Sequence, residues 1–328
     1  MIFKKNILFF SLLIIFLNTS AQDVSSRNQL LKFKQFSLAE GLSQSSVLCI
    51  LQDSKGFMWF GTRDGLNKYD GHSFKTYRFD YRNKNSISNS FIKSLLEDEN
   101  GNIWIGTNNG LNKYLPSKDS FERFKHNESE SSLINNEIWS LASHGKGYLW
   151  VGTNAGLEKF NIKTKKSEHL KIDKSILKNH IRYLFKDSKE NLWVCNRENI
   201  SLYSNQKNEF IEISYPSTQI RKSTSNYAPV IYQDRSGTIW LGYRDGLAIY
   251  NNEKNEFQHF KIELGDINTI TEEVRTFYED VFGNFWVGTY NGLYIINKKR
   301  TSISHYTHDE NNFNSLSQNS VYSIIGDT

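Results

Sequence analysis

The stretch that decides the fold is residues 53–70, DSKGFMWFGTRDGLNKYD, because its pattern recurs along the chain. A Trp stands near its centre, and equivalent tryptophans follow at spacings of 45, 46, 43, 47 and 46 residues. The six are Trp59, Trp104, Trp150, Trp193, Trp240 and Trp286. A fixed period of this length indicates stacked structural units rather than one isolated site.

Three further landmarks keep the same register. The residue six before the Trp is Asp53, Asp98, His144, Asp187, Asp234 and Asp280. The residue three before it is Gly56, Gly101, Gly147, Glu190, Gly237 and Gly283. The residue two after it is Gly61, Gly106, Gly152, Cys195, Gly242 and Gly288. Because these residues repeat, we interpret them as scaffold, with Asp and Gly forming a turn and Trp packing between units.

Each unit predicts four short antiparallel strands and no helix. An apolar first strand precedes the Asp, and the second strand carries the Trp. A two-residue hairpin turn such as RDG or NNG leads into the third strand, and an aromatic-rich fourth strand follows. Four strands at this period are typical of an all-β β-propeller. The chain has no Trp-Asp dipeptide and no Gly-Gly pair, so the WD40 and kelch signatures are absent.

The number of blades is predicted from the two ends of the repeat array. Six repeats are complete, and residues 319–327 resemble the start of a seventh with Asp327 at the repeat Asp. Residues 30–42 resemble a lone fourth strand, and propellers often close by pairing such a strand with the last blade. We therefore expect a truncated seven-bladed ring. A six-bladed ring with a stray extra strand is the alternative.

The N-terminus predicts a secretory signal peptide over residues 1–21, with the propeller sensor domain over residues 22–328. Lys4 and Lys5 precede an apolar run that is too short to span a bilayer, and Thr19 and Ala21 suit a cut before Gln22. No other segment of the mature chain is apolar enough to cross a membrane.

Cys49 and Cys195 occupy non-equivalent repeat positions, which favours two buried thiols over a disulfide. The net charge of +5 is too weak and dispersed to indicate nucleic acid.

The repeat resembles that of the two-component-regulator propeller family. Residues 47–53 carry it with Gly56, Trp59, Gly61 and Leu66, and residues 92–98 carry it with their counterparts. The resemblance implies the periplasmic sensor region of a hybrid histidine kinase. It also implies a parent protein anchored in the inner membrane, with a kinase absent from this chain, a homodimer mate and an oligosaccharide ligand.

Candidate ligand-binding residues lie where the repeat varies. Binding residues usually stand on loops of a rigid scaffold, and the face bearing the RDG-type turns also carries the long connections between blades. Five residues before the repeat Asp we select Lys93, Trp139, Arg182 and Arg275, and eight before it Asn136 and Asn179. The turns add Arg63 and Arg244. Trp139 beside cations would suit an acidic sugar. The alternative is that Trp139 packs between blades and the cations are solvated.

Other function classes are less well supported. No cluster of His, Cys and Asp has the spacing of a metal site, and no cofactor motif is present. A propeller used only for protein–protein interaction or dimerisation is the main alternative. A sialidase-like glycosidase is a weaker one, because no Tyr–Glu constellation stands out. We therefore expect no enzymatic activity in this chain.

Overall fold

The computed structural model describes residues 31–170, 180–197, 199–204, 209–216, 228–261 and 270–326. The predicted signal peptide, Asn179 and Asp327 lie outside these residues. The propeller lies within a compact unit formed by residues 33–328. No helix in the described ranges is long and apolar enough to cross a membrane.

The described residues form six sheets, each of four antiparallel strands that are consecutive in the chain. The first three blades have these strands: β1 Val47–Gln52, β2 Met58–Thr62, β3 Gly65–Tyr69, β4 Phe74–Tyr77; β5 Ile92–Glu97, β6 Ile103–Thr107, β7 Gly110–Leu115, β8 Ser120–Phe124; β9 Ile138–Gly145, β10 Tyr148–Thr153, β11 Gly156–Asn161, β12 Lys166–His169. Each blade therefore folds from one contiguous segment, as the period predicts.

Blades 4 to 6 repeat this arrangement. Their strands are β13 Tyr183–Lys186, β14 Leu192–Cys195, β15 Ile200–Ser204, β16 Glu209–Ile213; β17 Val230–Gln233, β18 Ile239–Tyr243, β19 Gly246–Asn251, β20 Glu256–His259; β21 Val274–Glu279, β22 Phe285–Thr289, β23 Gly292–Ile296, β24 Ile303–Tyr306. The degenerate fourth repeat thus still forms a complete blade. Its Glu190 adopts the positive φ of 63° that glycine supplies in the other turns.

The all-β propeller prediction is confirmed, but the prediction of seven blades is wrong. The described chain contains six four-stranded blades. Residues 319–326 join none of the sheets, and neither do residues 31–37. A strand requires a hydrogen-bonded neighbour, so an apolar first-strand pattern alone does not make a blade.

The repeat Asp and the repeat Trp form one hydrogen-bonded unit. In blade 2, Asp98 accepts backbone N–H bonds from Asn100 at 2.9 Å and Asn102 at 3.0 Å. Its second oxygen accepts the indole N–H of Trp104 at 2.8 Å. The same bond joins Asp and Trp in blades 1, 4, 5 and 6. The carboxylate therefore fixes both the turn and the orientation of the Trp.

Each of five repeat tryptophans packs against an aromatic ring of the following blade. Trp59 lies 5.0 Å from Tyr114, and Trp193 lies 4.9 Å from Tyr250, as ring-centroid distances. The other pairs are Trp104–Phe160, Trp150–Tyr203 and Trp240–Phe285. The predicted position between blades is thus observed.

The repeat Gly is required by close packing between blades. A Cβ on Gly106 would overlap Ser94 and come within 2.8 Å of Ile138 Cγ2 in the next blade. Ile or Val meets the Gly in the same way in the pairs Gly61–Ile92, Gly152–Ile181, Gly242–Val274 and Gly288–Val321. The fourth repeat differs on both sides, because Cys195 replaces the Gly and Ala228 stands at the position of the β-branched residue. Cys195 is fully buried, and burial raises the pKa of its thiol.

Candidate functional site: the axial cavity

In four blades the variable position five before the repeat Asp is a β-bulge. In blade 2, Ile92 pairs with Thr107 and Ser94 pairs with Gly106, so Lys93 between them has no partner. The same shift leaves Leu48, Trp139 and Arg275 unpaired in their blades. A bulge re-aims a side chain and disrupts the ladder locally. It frees this position from the sheet pattern and turns its side chain towards the axis.

These bulge side chains converge on a cavity of about 620 Å³ along the ring axis. Residues from the first strands of all six blades line it, together with Tyr322 and Ser323. The lining residues that stand five before the repeat position of Asp are Leu48, Lys93, Trp139, Arg182, Arg275 and Tyr322. The structure thus brings together four of the predicted site residues, and Arg63 from the β2–β3 turn joins them.

The cavity lies at the predicted face of the ring. The Gly65 N–H at the end of the β2–β3 turn donates to the Ser90 carbonyl, just before β5, at 2.7 Å. The hairpin turns and the connections between blades therefore lie side by side. Among the described lining residues, the cations are Arg63, Lys93, Arg182 and Arg275, and the one carboxylate is Glu273. The cavity is therefore positively charged.

Trp139 lies between two cations. Lys93 Nζ is 3.3 Å from the Trp139 ring centre, and Arg182 Cζ is 3.4 Å from it. Two groups this close to one ring centre would overlap on one face, so they occupy opposite faces. Trp139 therefore orders Lys93 and Arg182 by cation–π contacts. It does not present an open face on which a sugar ring could stack.

Lys93 is almost completely buried and forms an ion pair with Glu137. The distance from Lys93 Nζ to Glu137 Oε1 is 2.5 Å, and 5% of the Lys93 side chain is exposed. Burial lowers the pKa of Lys93 to about 8, against the opposing effect of Glu137. Lys93 is thus a desolvated cation whose charge is already matched.

Arg275 in blade 6 occupies the repeat position that Lys93 occupies in blade 2. It pairs with Glu273 at 2.8 Å and lies 4.5 Å from the Tyr322 ring centre. Arg182 is 8% exposed, and its Nε and Nη1 have no hydrogen-bond partner in the described chain, where Arg275 Nε has none either. Burial and the neighbouring charge of Arg197 lower the pKa of Arg182 to about 10.

Two of the other predicted residues have different surroundings. Asn136 accepts the His126 N–H through its side chain at 2.8 Å and the Gly110 N–H through its carbonyl at 2.7 Å. These bonds hold the connection into β9, and Asn319 makes the equivalent pair with His308 and Gly292. Arg244 is exposed in the β18–β19 turn and is not among the residues lining the cavity.

Sequence reasoning missed the carboxylates beside the bulges and the contribution of Tyr322. Glu137 and Glu273 both stand seven residues before the repeat position of Asp, immediately after the column that contains Asn136. Comparing the residues seven before the repeat Asp across all repeats would have found these two carboxylates. No group of three or more His, Cys, Asp or Glu residues suited to a metal occurs in the part of the chain that the structure describes.

The family pattern described as "Two component regulator propeller" matches residues 41–64, 86–109, 132–155 and 270–291. A histidine kinase, P4 of Formosa agariphila, is 48% identical over 84 residues, which are 26% of this chain and 6% of that protein. These matches confirm the resemblance predicted from the repeat residues.

Solved structures show the same fold. The extracellular domain assigned to a hybrid two component system of B. thetaiotaomicron is 26% identical with a TM-score of 0.75, covering 90% of this chain and 39% of that one. A second such domain from the same organism is 24% identical with a TM-score of 0.72, covering 90% and 37%. This chain therefore spans less than half the length of either. Its four matched segments and its blades show that the chain carries two component regulator propeller repeats.

Proposed function

We propose that this chain is a ligand-sensing propeller of a hybrid two-component histidine kinase, that it acts in the periplasm, and that its ligand is an oligosaccharide. The observation that carries this proposal is the separation of repeated from variable side chains. Repeated residues stabilise the blades, whereas variable polar residues converge on one open axial cavity. A sensor needs such a cavity on a rigid scaffold.

The comparisons support the sensor role. The relatives in B. thetaiotaomicron are assigned as extracellular domains of hybrid two component systems, and the sequence match in Formosa agariphila is to a histidine kinase. Signalling to a kinase elsewhere in the parent protein and pairing with a second copy are parts of the proposal.

Export can be tested directly. Mass spectrometry of the exported chain should show an N-terminus at Gln22.

The cavity also suits a small saccharide in size and chemistry. Its volume of about 620 Å³ falls within the range of roughly 300–1,000 Å³ common for small-molecule sites. Cations and Ser140 offer hydrogen bonds, while Leu48 and Leu141 provide apolar contact. A saccharide has hydroxyl groups and apolar ring faces, and this lining matches both.

A calorimetric titration of the full chain with a panel of neutral and acidic oligosaccharides tests the proposal. Two matched turns provide the variants, because Arg63 lines the cavity and Arg244 occupies the same turn position in blade 5 outside it. We expect Arg63→Ala to weaken binding about tenfold, the effect of losing a hydrogen bond to a charged group. Arg244→Ala should bind like the unmodified chain. Equal effects of both variants, or no binding by any saccharide, would contradict the proposal.

A further inference from the structure

Three hydrogen-bond donors of two residues that line the cavity lack an acceptor among the described residues. Arg182 Nε, Arg182 Nη1 and Trp139 Nε1 are all buried, and none has a partner within the described residues. Arg182 is 8% exposed and lines the cavity together with Trp139. A buried donor without an acceptor is costly, and a buried guanidinium more so. The three donors are therefore arranged for a group that brings oxygen atoms.

The neighbouring side chains do not meet this demand. Glu137 is the carboxylate whose charge acts on Arg182, but it is already bonded to Lys93 at 2.5 Å. Glu273, the lining carboxylate, is paired with Arg275 at 2.8 Å. The excess charge at Arg182 is thus positive, and its complement is an anion.

We propose that Arg182 and the Trp139 indole N–H bind an oxyanion group, a carboxylate or a sulfate, of the ligand in the axial cavity. The contact between Arg182 and Trp139 holds the guanidinium against the indole, so their donors act together. Lys93, on the other face of Trp139, orders the indole and adds long-range attraction. This inference rests on the proposed function and names the chemical class of the ligand.

Calorimetry with matched probes separates the possibilities. We use tri-galacturonate, the neutral galactose trimer, a sulfated galactose oligomer and citrate as a non-saccharide oxyanion. The acidic or the sulfated sugar should bind at least tenfold more tightly than the neutral trimer. If only citrate binds, the oxyanion site stands and the saccharide proposal falls. If the neutral trimer binds equally well, the oxyanion inference falls and the saccharide proposal stands. If no probe binds, both fall.

Two variants test the named donors. Arg182→Met should abolish the preference for the anionic probe without lowering the thermal midpoint of the ligand-free chain, because it removes a buried charge with two donor nitrogens that lack partners among the described residues. Trp139→Phe keeps a ring for Lys93 and Arg182 but removes the indole N–H, so anion binding should weaken about fivefold. A lower midpoint in Arg182→Met, with binding otherwise intact, would assign Arg182 a purely structural role and overturn the inference.

Discussion

In four blades the first strand carries a bulge only a few residues before its turn, yet the two sites behave in opposite ways. At the turn, Asp98 satisfies backbone and indole donors, and the same bonds recur in four other blades. At the bulge, the residue has no ladder partner, and its identity changes from Leu48 to Lys93 to Trp139. Residues that satisfy the backbone are constrained, whereas residues released from it can vary and take on recognition.

The largest expected effect is at the turn. Asp98→Ala removes five hydrogen bonds, two of them from the Asn102 side-chain amide, and leaves the buried Trp104 indole N–H without its acceptor. We expect the free energy of unfolding to fall by about 4 kcal/mol. Urea unfolding followed by tryptophan fluorescence measures it. Asp98→Asn, which retains an acceptor, should lose less, and a loss under 1 kcal/mol for Asp98→Ala would break the comparison.

A second scaffold test concerns the contact between blades. Gly106→Ala places a Cβ against Ser94 and within 2.8 Å of Ile138 Cγ2, and overpacking of this kind costs about 1–3 kcal/mol. Combining it with Ile138→Ala should cost less than the sum of the two single changes, by about 1 kcal/mol. Strict additivity in the unfolding free energies would show that the two residues do not share one packing site.

The third test compares equivalent positions of blades 2 and 3. The buried Asn112 side chain accepts the Ser88 N–H at 2.8 Å, and in blade 3 buried Glu158 accepts the Ile134 N–H at 3.0 Å. Burial raises the pKa of Glu158 to about 8 from 4.5. Because the folded pKa is the higher one, the carboxyl binds its proton more tightly in the folded state. Its stabilising contribution is complete below pH 4.5 and is lost as the pH rises through 8.

Glu158→Gln should therefore flatten the pH dependence of stability. The unmodified chain should lose up to about 1.4 kcal/mol of unfolding free energy per pH unit in this window. His169 Nε2 lies 3.6 Å from Glu158 Oε2, so His169→Gln is the control. Urea unfolding at pH 5, 6, 7 and 8 gives the slopes. An unchanged slope in Glu158→Gln would refute the assignment.

The smallest effect is expected at the cavity. Arg63 is exposed, and its contact to the Phe91 ring centre is 5.9 Å, so Arg63→Ala should change the unfolding free energy by less than about 0.5 kcal/mol. The same urea titration used for Asp98→Ala measures it. A loss of several kcal/mol would show that the cavity residues are scaffold after all.

The sequence was sufficient to predict the four strands of each blade and the residues that line the cavity at the variable position. The Trp period predicted the strands, and the variable column contained Lys93, Trp139, Arg182 and Arg275, which the structure brings together. Blade number was not predictable, because residues 319–326 have the first-strand pattern without a paired strand. The placement of Lys93 and Arg182 on opposite faces of Trp139 was not predictable either. Periodicity gives the position of a residue but not the contacts of its ring.

The junction between blades 4 and 5 has a consequence for assembly. At four junctions between blades a Gly faces Ile or Val, and Gly288 meets Val321 in the same way, so these surfaces are alike and a blade could dock on the wrong neighbour during folding. Cys195 opposite an Ile would collide, and a Gly opposite Ala228 would leave a hole. This pair therefore matches by size only with each other. One irregular junction is enough to mark a position in a series of blades whose other Gly contacts are alike.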